Sequence, residues 1–142
     1  MKQRMFALSP SAIADQSHQI CASLFRLIDF DTSHPLNISV FLSMPHEIST
    51  RPILAELFAL NERRGEEAAH RLFVPKVLSP SDRQSMVMLP IPSSFEALDA
   101  FPKNKWGIPE PEGSVGGERD MELDFDIVLV PGLFLGFCYS VL

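Results

Sequence analysis

Little in this chain points to a covalent or metal framework. It has two cysteines, Cys21 and Cys138, too few for a disulfide scaffold and in no paired spacing with histidine that would suggest zinc. A reducing compartment is the expectation. Basic residues are outnumbered: 12 Lys and Arg against 18 Asp and Glu leave a formal net charge of −6. That balance argues against broad phosphate-backbone binding and so against a nucleic-acid partner, while a local basic pocket for one small anion stays open. No apolar run reaches the roughly 20 residues that a spanning helix needs. The closing run Ile127–Leu142 is about 16 residues long and is interrupted by Pro131, Gly132 and Gly136, so no membrane partner is expected. The opening "MKQRMFALSP" lacks the apolar stretch of a secretory signal, and Asp15 soon after it is an acid that transit peptides avoid. The cytoplasm is the expected location, with the mitochondrion as second choice. Neither an internal repeat nor a low-complexity tract is present.

What is there is the composition of an ordinary globular domain. With 142 residues, 46% of them hydrophobic and 21% charged, the chain can bury a real core and forms one domain. Ser9 and Pro10 read as a helix N-cap and first-turn pair. Ile13, Ile20, Cys21, Leu24 and Ile28 then recur at helical spacing as one apolar face, before "DFDTSHP" ends the helix. "NISVFLS" predicts a central strand with Ile38, Val40 and Leu42 on one face and Phe41 on the other. Thr50 is placed to cap a second helix through Leu60, broken at Gly65. "RLFVPKV" and "QSMVMLPI" predict two further strands, and "SSFEALDAF" a short helix capped by Ser93 or Ser94. "LDFDIVLVPG" reads as a buried strand because Phe125 to Val130 are nearly all apolar. This order of elements predicts an α/β layered fold.

In such folds ligands bind beyond the carboxyl ends of the strands, which directs attention to "SMPHEIST", to "KWGIPEPEG" and to whatever follows "VLVPG". Glu47 lies in the first of these loops. It is either a solvated first-turn acid or a two-oxygen acceptor for the donors of an amino-rich heterocycle. Trp106, the single tryptophan, either packs its loop down or offers a face on which a flat ligand stacks. His18, His34, His46 and His70 show no ligand or triad spacing and are expected at the surface. Glu118, Asp120, Glu122, Asp124 and Asp126 alternate as a solvated edge rather than a metal loop.

Taken together and in order, "SVFLSMPHEIST", "FVPKV", "KWGIPEPEG" and "DIVLVPG" resemble the 5-formyltetrahydrofolate cyclo-ligase family, also called methenyltetrahydrofolate synthetase, over roughly Lys2 to Leu133. The resemblance implies a three-layer α/β/α fold with a mostly parallel sheet, related to the ribose-phosphate-isomerase and CoA-transferase-like folds. It implies an ATP- and Mg²⁺-dependent closure of 5-formyltetrahydrofolate to 5,10-methenyltetrahydrofolate, a small-molecule folate partner and a monomer. Chemistry of this kind rests on positioning and charge stabilisation around the triphosphate. Carried over by motif, Leu42 and Glu47 are folate-pocket residues, with Glu47 holding the pterin donors. Trp106, Ile108 and Pro109 line or shape the same pocket, and Pro75 sits at another strand end beside it. Pro131 and Gly132 form the stem of the family's nucleotide loop, after which this sequence departs into "FLGFCYSVL". The family's basic residues of the first helix have no counterpart, since Lys2 and Arg4 fall at later positions. The resulting expectation is a cyclo-ligase domain over 1–133, partial at both ends, followed by an aberrant apolar tail over 134–142. No catalytic residue and no metal ligand are retained, ATP binding is weak and turnover is absent. The alternatives are a non-catalytic folate-binding fragment and a misfolded truncation product.

Overall fold

The computed structural model describes residues 9–78, 86–112 and 124–131. Ser9 accepts a hydrogen bond from the Ala12 N–H through Oγ and so opens helix α1, Pro10–Leu27, with Pro10 in the first turn. The buried positions of α1 are Ser17 and Cys21, with Leu24 and Ile28 packed behind them. Ile20, placed on the apolar face by spacing, is instead 38% exposed. The stripe runs through 17, 21, 24 and 28, so Ile20 lies about 100° away from Cys21 around the helix. A serine occupies the stripe because its hydroxyl is satisfied there: Ser17 Oγ donates to the Ile13 carbonyl at 2.6 Å.

Strand β1, Asn37–Ser39, follows, then helix α2, Arg51–Arg64, a single 3₁₀ turn at Glu66–Ala68, and strands β2, Arg71–Val77, and β3, Met86–Ile91. Helix α3, Phe95–Asp99, and strand β4, Ile127–Val128, complete the described elements. Thr50 occupies the position before α2 but does not cap it, because its backbone is already helical at φ −85, ψ −4 and its hydroxyl is used elsewhere. Gly65 ends α2 at φ 77, ψ 166, a region open essentially to glycine alone. Ser94, one of the two serines considered, caps α3 by accepting from the Ala97 N–H at 3.2 Å.

The four strands lie in the order β3-β2-β1-β4, with β1 parallel to both β2 and β4 and β3 antiparallel to β2. An α/β fold with a mostly parallel mixed sheet therefore stands, and β1 is central. Register explains the core. Ile38 pairs with Leu72 and Ile127, and Leu72 with Ile91, so these residues share one face. Val40 and Val74 continue that face two residues on. Against it pack Ile53, Leu54, Leu57, Phe58 and Leu60 of α2, Cys21 of α1 and Leu98 of α3, in one contiguous cluster. The described helices thus form one layer on this face. Ser39 and Phe73 point the other way, where Phe73 meets Phe125 edge-on at 5.4 Å. Pro75 lies beyond Phe73, where pairing with β1 has stopped, so its missing N–H is tolerated in β2.

Two further sequence expectations need correction. The run from Phe125 to Val130, expected as a buried strand, leaves Val128 50% and Val130 73% exposed. Among the described residues β4 is an edge strand, and only Ile127 and Leu129 turn into the core. Hydropathy reports a side chain's cost in water but not whether a layer covers it. His70, expected at the surface, is buried. Its Nδ1 accepts from the Leu36 N–H at 3.0 Å, and its Nε2 lies 2.7 Å from the Phe30 carbonyl. A carbonyl can only accept and an N–H only donate, so the imidazole is neutral with its proton on Nε2. Asn61 fixes the same residue's backbone, its Oδ1 accepting from the His70 N–H and its Nδ2 donating to the His70 carbonyl. His18, His34 and His46 are exposed. Among the described residues no helix is long and apolar enough to cross a membrane. The apolar tail proposed for 134–142 lies outside them.

Candidate functional site

Beyond the carboxyl end of β1 the chain turns through residues 41–50, and side-chain oxygens hold that turn. Thr50 Oγ1 donates back to the Phe41 carbonyl at 2.8 Å, and Ser43 Oγ accepts from the Thr50 N–H at 2.8 Å. The two hydroxyls also meet at 3.1 Å. Ser17 reaches across from α1 and accepts from the Ser49 N–H at 2.9 Å. The loop is therefore pinned at both its sheet and its helix side. Within it the Glu47 N–H donates to the Met44 carbonyl at 3.1 Å, and Glu47 Oε2 accepts from the Met44 N–H at 3.0 Å. One carboxylate oxygen closes the turn, while Oε1 makes no hydrogen bond among the described residues.

A second wall comes from α3 and the loop after it. Arg51, at the start of α2, grips Asp99, the last residue of α3, through two parallel hydrogen bonds of 2.9 and 2.8 Å, and its guanidinium lies 4.3 Å over the Phe95 ring. The hydrogen bond from Arg51 is the main reason that the Asp99 carboxyl is held below its usual range, with the charges of Arg51 and Lys103 adding to it and desolvation opposing. Reciprocally, Arg51 is raised. Residues 103–109 form a tight loop closed by a bridge between Lys103 and Pro109.

Between these walls lies a cleft of about 250 Å³. Leu42, Ser43, Met44 and Glu47 form one side of it, and Leu98, Asp99, Lys103, Gly107 and Pro109 the other. Its volume falls just below the roughly 300–1,000 Å³ of sites for drug-sized ligands, which suits one bicyclic ring better than a long molecule. Charge inside is balanced, with Glu47 and Asp99 facing Arg51 and Lys103. Among the described residues no group of three or more His, Cys, Asp or Glu could hold a metal ion.

The structure brings together Leu42, Glu47 and Pro109 of the residues singled out by sequence. Ile108 is half-buried next to Pro109, and Trp106 is 53% exposed beside Gly107, with Lys105 Nζ 4.3 Å from its ring centroid. Neither side chain lines the cleft. Pro75 is exposed on β2 opposite Met88, away from this cleft, and Pro131 is exposed after β4. Gly132 lies outside the described residues. The sequence reading did not single out Arg51, Asp99 or Lys103. Arg51 and Asp99 are 48 positions apart, so no local spacing signals their meeting.

A pinned loop at the carboxyl end of a central parallel strand, facing a second loop across a mostly apolar cleft, places the candidate site of this α/β protein where such folds commonly hold their ligands. The chain belongs to the 5-formyltetrahydrofolate cyclo-ligase family, whose pattern matches residues 1–136. It is similar to a Mus musculus protein named 5-formyltetrahydrofolate cyclo-ligase, at 31% identity over 94% of this chain and 60% of that protein. It is similar also to a Schizosaccharomyces pombe protein named "Probable 5-formyltetrahydrofolate cyclo-ligase", at 28% identity over 89% of this chain and 54% of that one. The chain thus spans little more than half the length of these curated relatives.

Proposed function

We propose that the cleft takes the pterin ring of 5-formyltetrahydrofolate, and that the chain serves the family's ATP-dependent ring closure to 5,10-methenyltetrahydrofolate. The observation that carries this reading is the meeting of Leu42, Glu47 and Pro109 around one cleft in a chain of this family. Glu47 Oε1 is the acceptor for the ring's N–H donors, its partner oxygen being engaged with Met44. Leu42 and Pro109 supply apolar contact, and the hydroxyl pins at Ser17, Ser43 and Thr50 keep the acceptor in place without rearrangement on binding. Arg51 is committed to Asp99, which leaves Lys103 as the remaining cation of the cleft among the described residues. That set does not fit a triphosphate with its Mg²⁺, so no step is derived through nucleotide or metal. A monomer acting on a small folate in the cytoplasm, without nucleic acid, completes the proposal.

The test is calorimetric titration of the 142-residue chain with 5-formyltetrahydrofolate, with and without ATP, alongside absorbance of methenyltetrahydrofolate. Saturable binding is expected, and Glu47→Gln, which replaces a charged acceptor by a neutral one, should weaken it by at least about tenfold. Absence of binding refutes the reading. Binding without turnover supports the non-catalytic alternative.

A further inference from the structure

The loop facing Glu47 is organised around one side chain, Asn104, that the sequence reading did not single out. Asn104 Oδ1 accepts from the Trp106 N–H at 2.9 Å and from the Ile108 N–H at 3.1 Å. Its Nδ2 donates to Glu110 Oε1 at 2.8 Å. Its backbone closes the same turn, the Asn104 N–H donating to the Ile108 carbonyl and its carbonyl accepting from the Gly107 N–H, each at 2.9 Å. Two N–H groups face one end of the amide and a carboxylate the other, so the orientation of the amide is fixed by its partners. Gly107 adopts φ +77 inside this turn, a conformation in which other side chains are strained. Glu110 extends the network to the sheet: its N–H donates to the Pro102 carbonyl at 2.9 Å, and its Oε2 lies 3.9 Å from Lys76 Nζ on β2. Lys76 also donates to the Pro111 carbonyl at 3.2 Å.

From this we infer that Asn104 is a positioning residue for the ligand cleft: it holds the Lys103, Gly107 and Pro109 wall at a fixed distance from Glu47, so that a flat ring is gripped between two preset surfaces. The inference rests on the proposed folate reading for the ligand, and on geometry alone for the loop. A short loop ordered in advance spares the ligand the entropy of ordering it. Beside the loop's own backbone bonds, one side chain ties this order together, because with the Asn104 amide removed two backbone N–H groups lose their acceptor and Glu110 Oε1 its donor at once.

Trp106 makes the loop directly observable, since it is the only tryptophan of the chain. The experiment compares wild type, Asn104→Ala, Asn104→Asp and the double variant Asn104→Asp with Glu110→Gln. Three quantities are read: acrylamide quenching of Trp106, the dissociation constant for 5-formyltetrahydrofolate, and the thermal unfolding midpoint. Asn104→Ala should raise quenching by about half or more and weaken binding by about tenfold, with little change in the midpoint. Asn104→Asp keeps both N–H acceptors but sets its carboxylate against that of Glu110, and should do the same at neutral pH. In the double variant the amide introduced at position 110 donates to the carboxylate introduced at position 104, so the bond is remade with its polarity reversed and both quantities should return close to wild type.

Unchanged quenching in Asn104→Ala overturns the role of Asn104 in the loop. Raised quenching with unchanged affinity overturns the positioning of the ligand. Failure of the double variant to recover also overturns the inference. Should Asn104→Ala not fold, the Asp variant and its rescue make the same decision. Should wild type bind no folate, the proposed function fails and the ligand part of the inference with it, while quenching still decides the loop.

Discussion

Replacing His70 tests the reading of the core most sharply. Its ring bridges three segments: it sits at the head of β2, accepts from Leu36 just before β1 and donates to Phe30 after α1. His70→Ala leaves a buried N–H and a buried carbonyl unpaired. At about 1–3 kcal/mol each, the loss comes to roughly 2–6 kcal/mol before any cavity is counted. That is a large share of the about 5–15 kcal/mol that holds a typical domain together. His70→Gln offers one acceptor and one donor and should recover much of the loss.

The two proteins should also differ in their response to acid. Burial is the main cause pushing the His70 imidazole below its ordinary value of 6.5, reinforced by the charge of Arg64; the bond to the Phe30 carbonyl and the charges of Asp31 and Asp126 oppose it. Above pH of about 6.5 the ring is neutral in both folded and unfolded chains, and its contribution to stability is complete. As pH falls through that value the unfolded chain takes up a proton that the folded chain refuses, so stability falls with it until the lowered native value is passed. Protonated Nδ1 would in addition point an N–H at the Leu36 N–H. Urea unfolding of wild type and His70→Gln between about pH 7.5 and 5 isolates this effect: wild type should lose stability relative to the variant as pH drops. A difference that stays flat across the interval would refute the neutral, Nε2-protonated assignment.

Two further expectations concern stability and charge. Leu57 is fully buried in the middle of α2, and Leu57→Ala should cost about 2–5 kcal/mol in the same unfolding assay. Arg51→Ala removes a two-bond ion pair whose side chains are 53% and 41% exposed, so it should cost no more than about 1 kcal/mol. The same change should let the Asp99 carboxyl rise toward its ordinary range, which an NMR titration of that carboxyl would show.

Much of the local structure was legible in the sequence because its causes are local. Ser9 and Pro10 specified the start of α1, Gly65 the end of α2, and the branched and aromatic run after Asn37 a central strand, each through backbone sterics or capping that neighbouring residues decide. Ser17 was missed for an equally physical reason. A hydroxyl inside an apolar stripe carries no periodic signal, and its meaning depends on the Ser49 N–H 32 positions away. The same limit misplaced His70, which sequence shows only as a polar residue before a strand.

The sequence by itself settled the α/β class, the central position of β1 and the motifs that mark the family. Those follow from propensity, period and residue type. Only the folded chain decided that Glu47 has one oxygen committed to Met44 and, among the described residues, one without a hydrogen bond, that Arg51 is tied to Asp99, and that Asn104 organises the wall opposite. Each of these depends on distance between groups far apart in sequence or on which of several partners a polar atom chooses, and hydrogen bonds and ion pairs are short-ranged enough that only three-dimensional placement makes the choice.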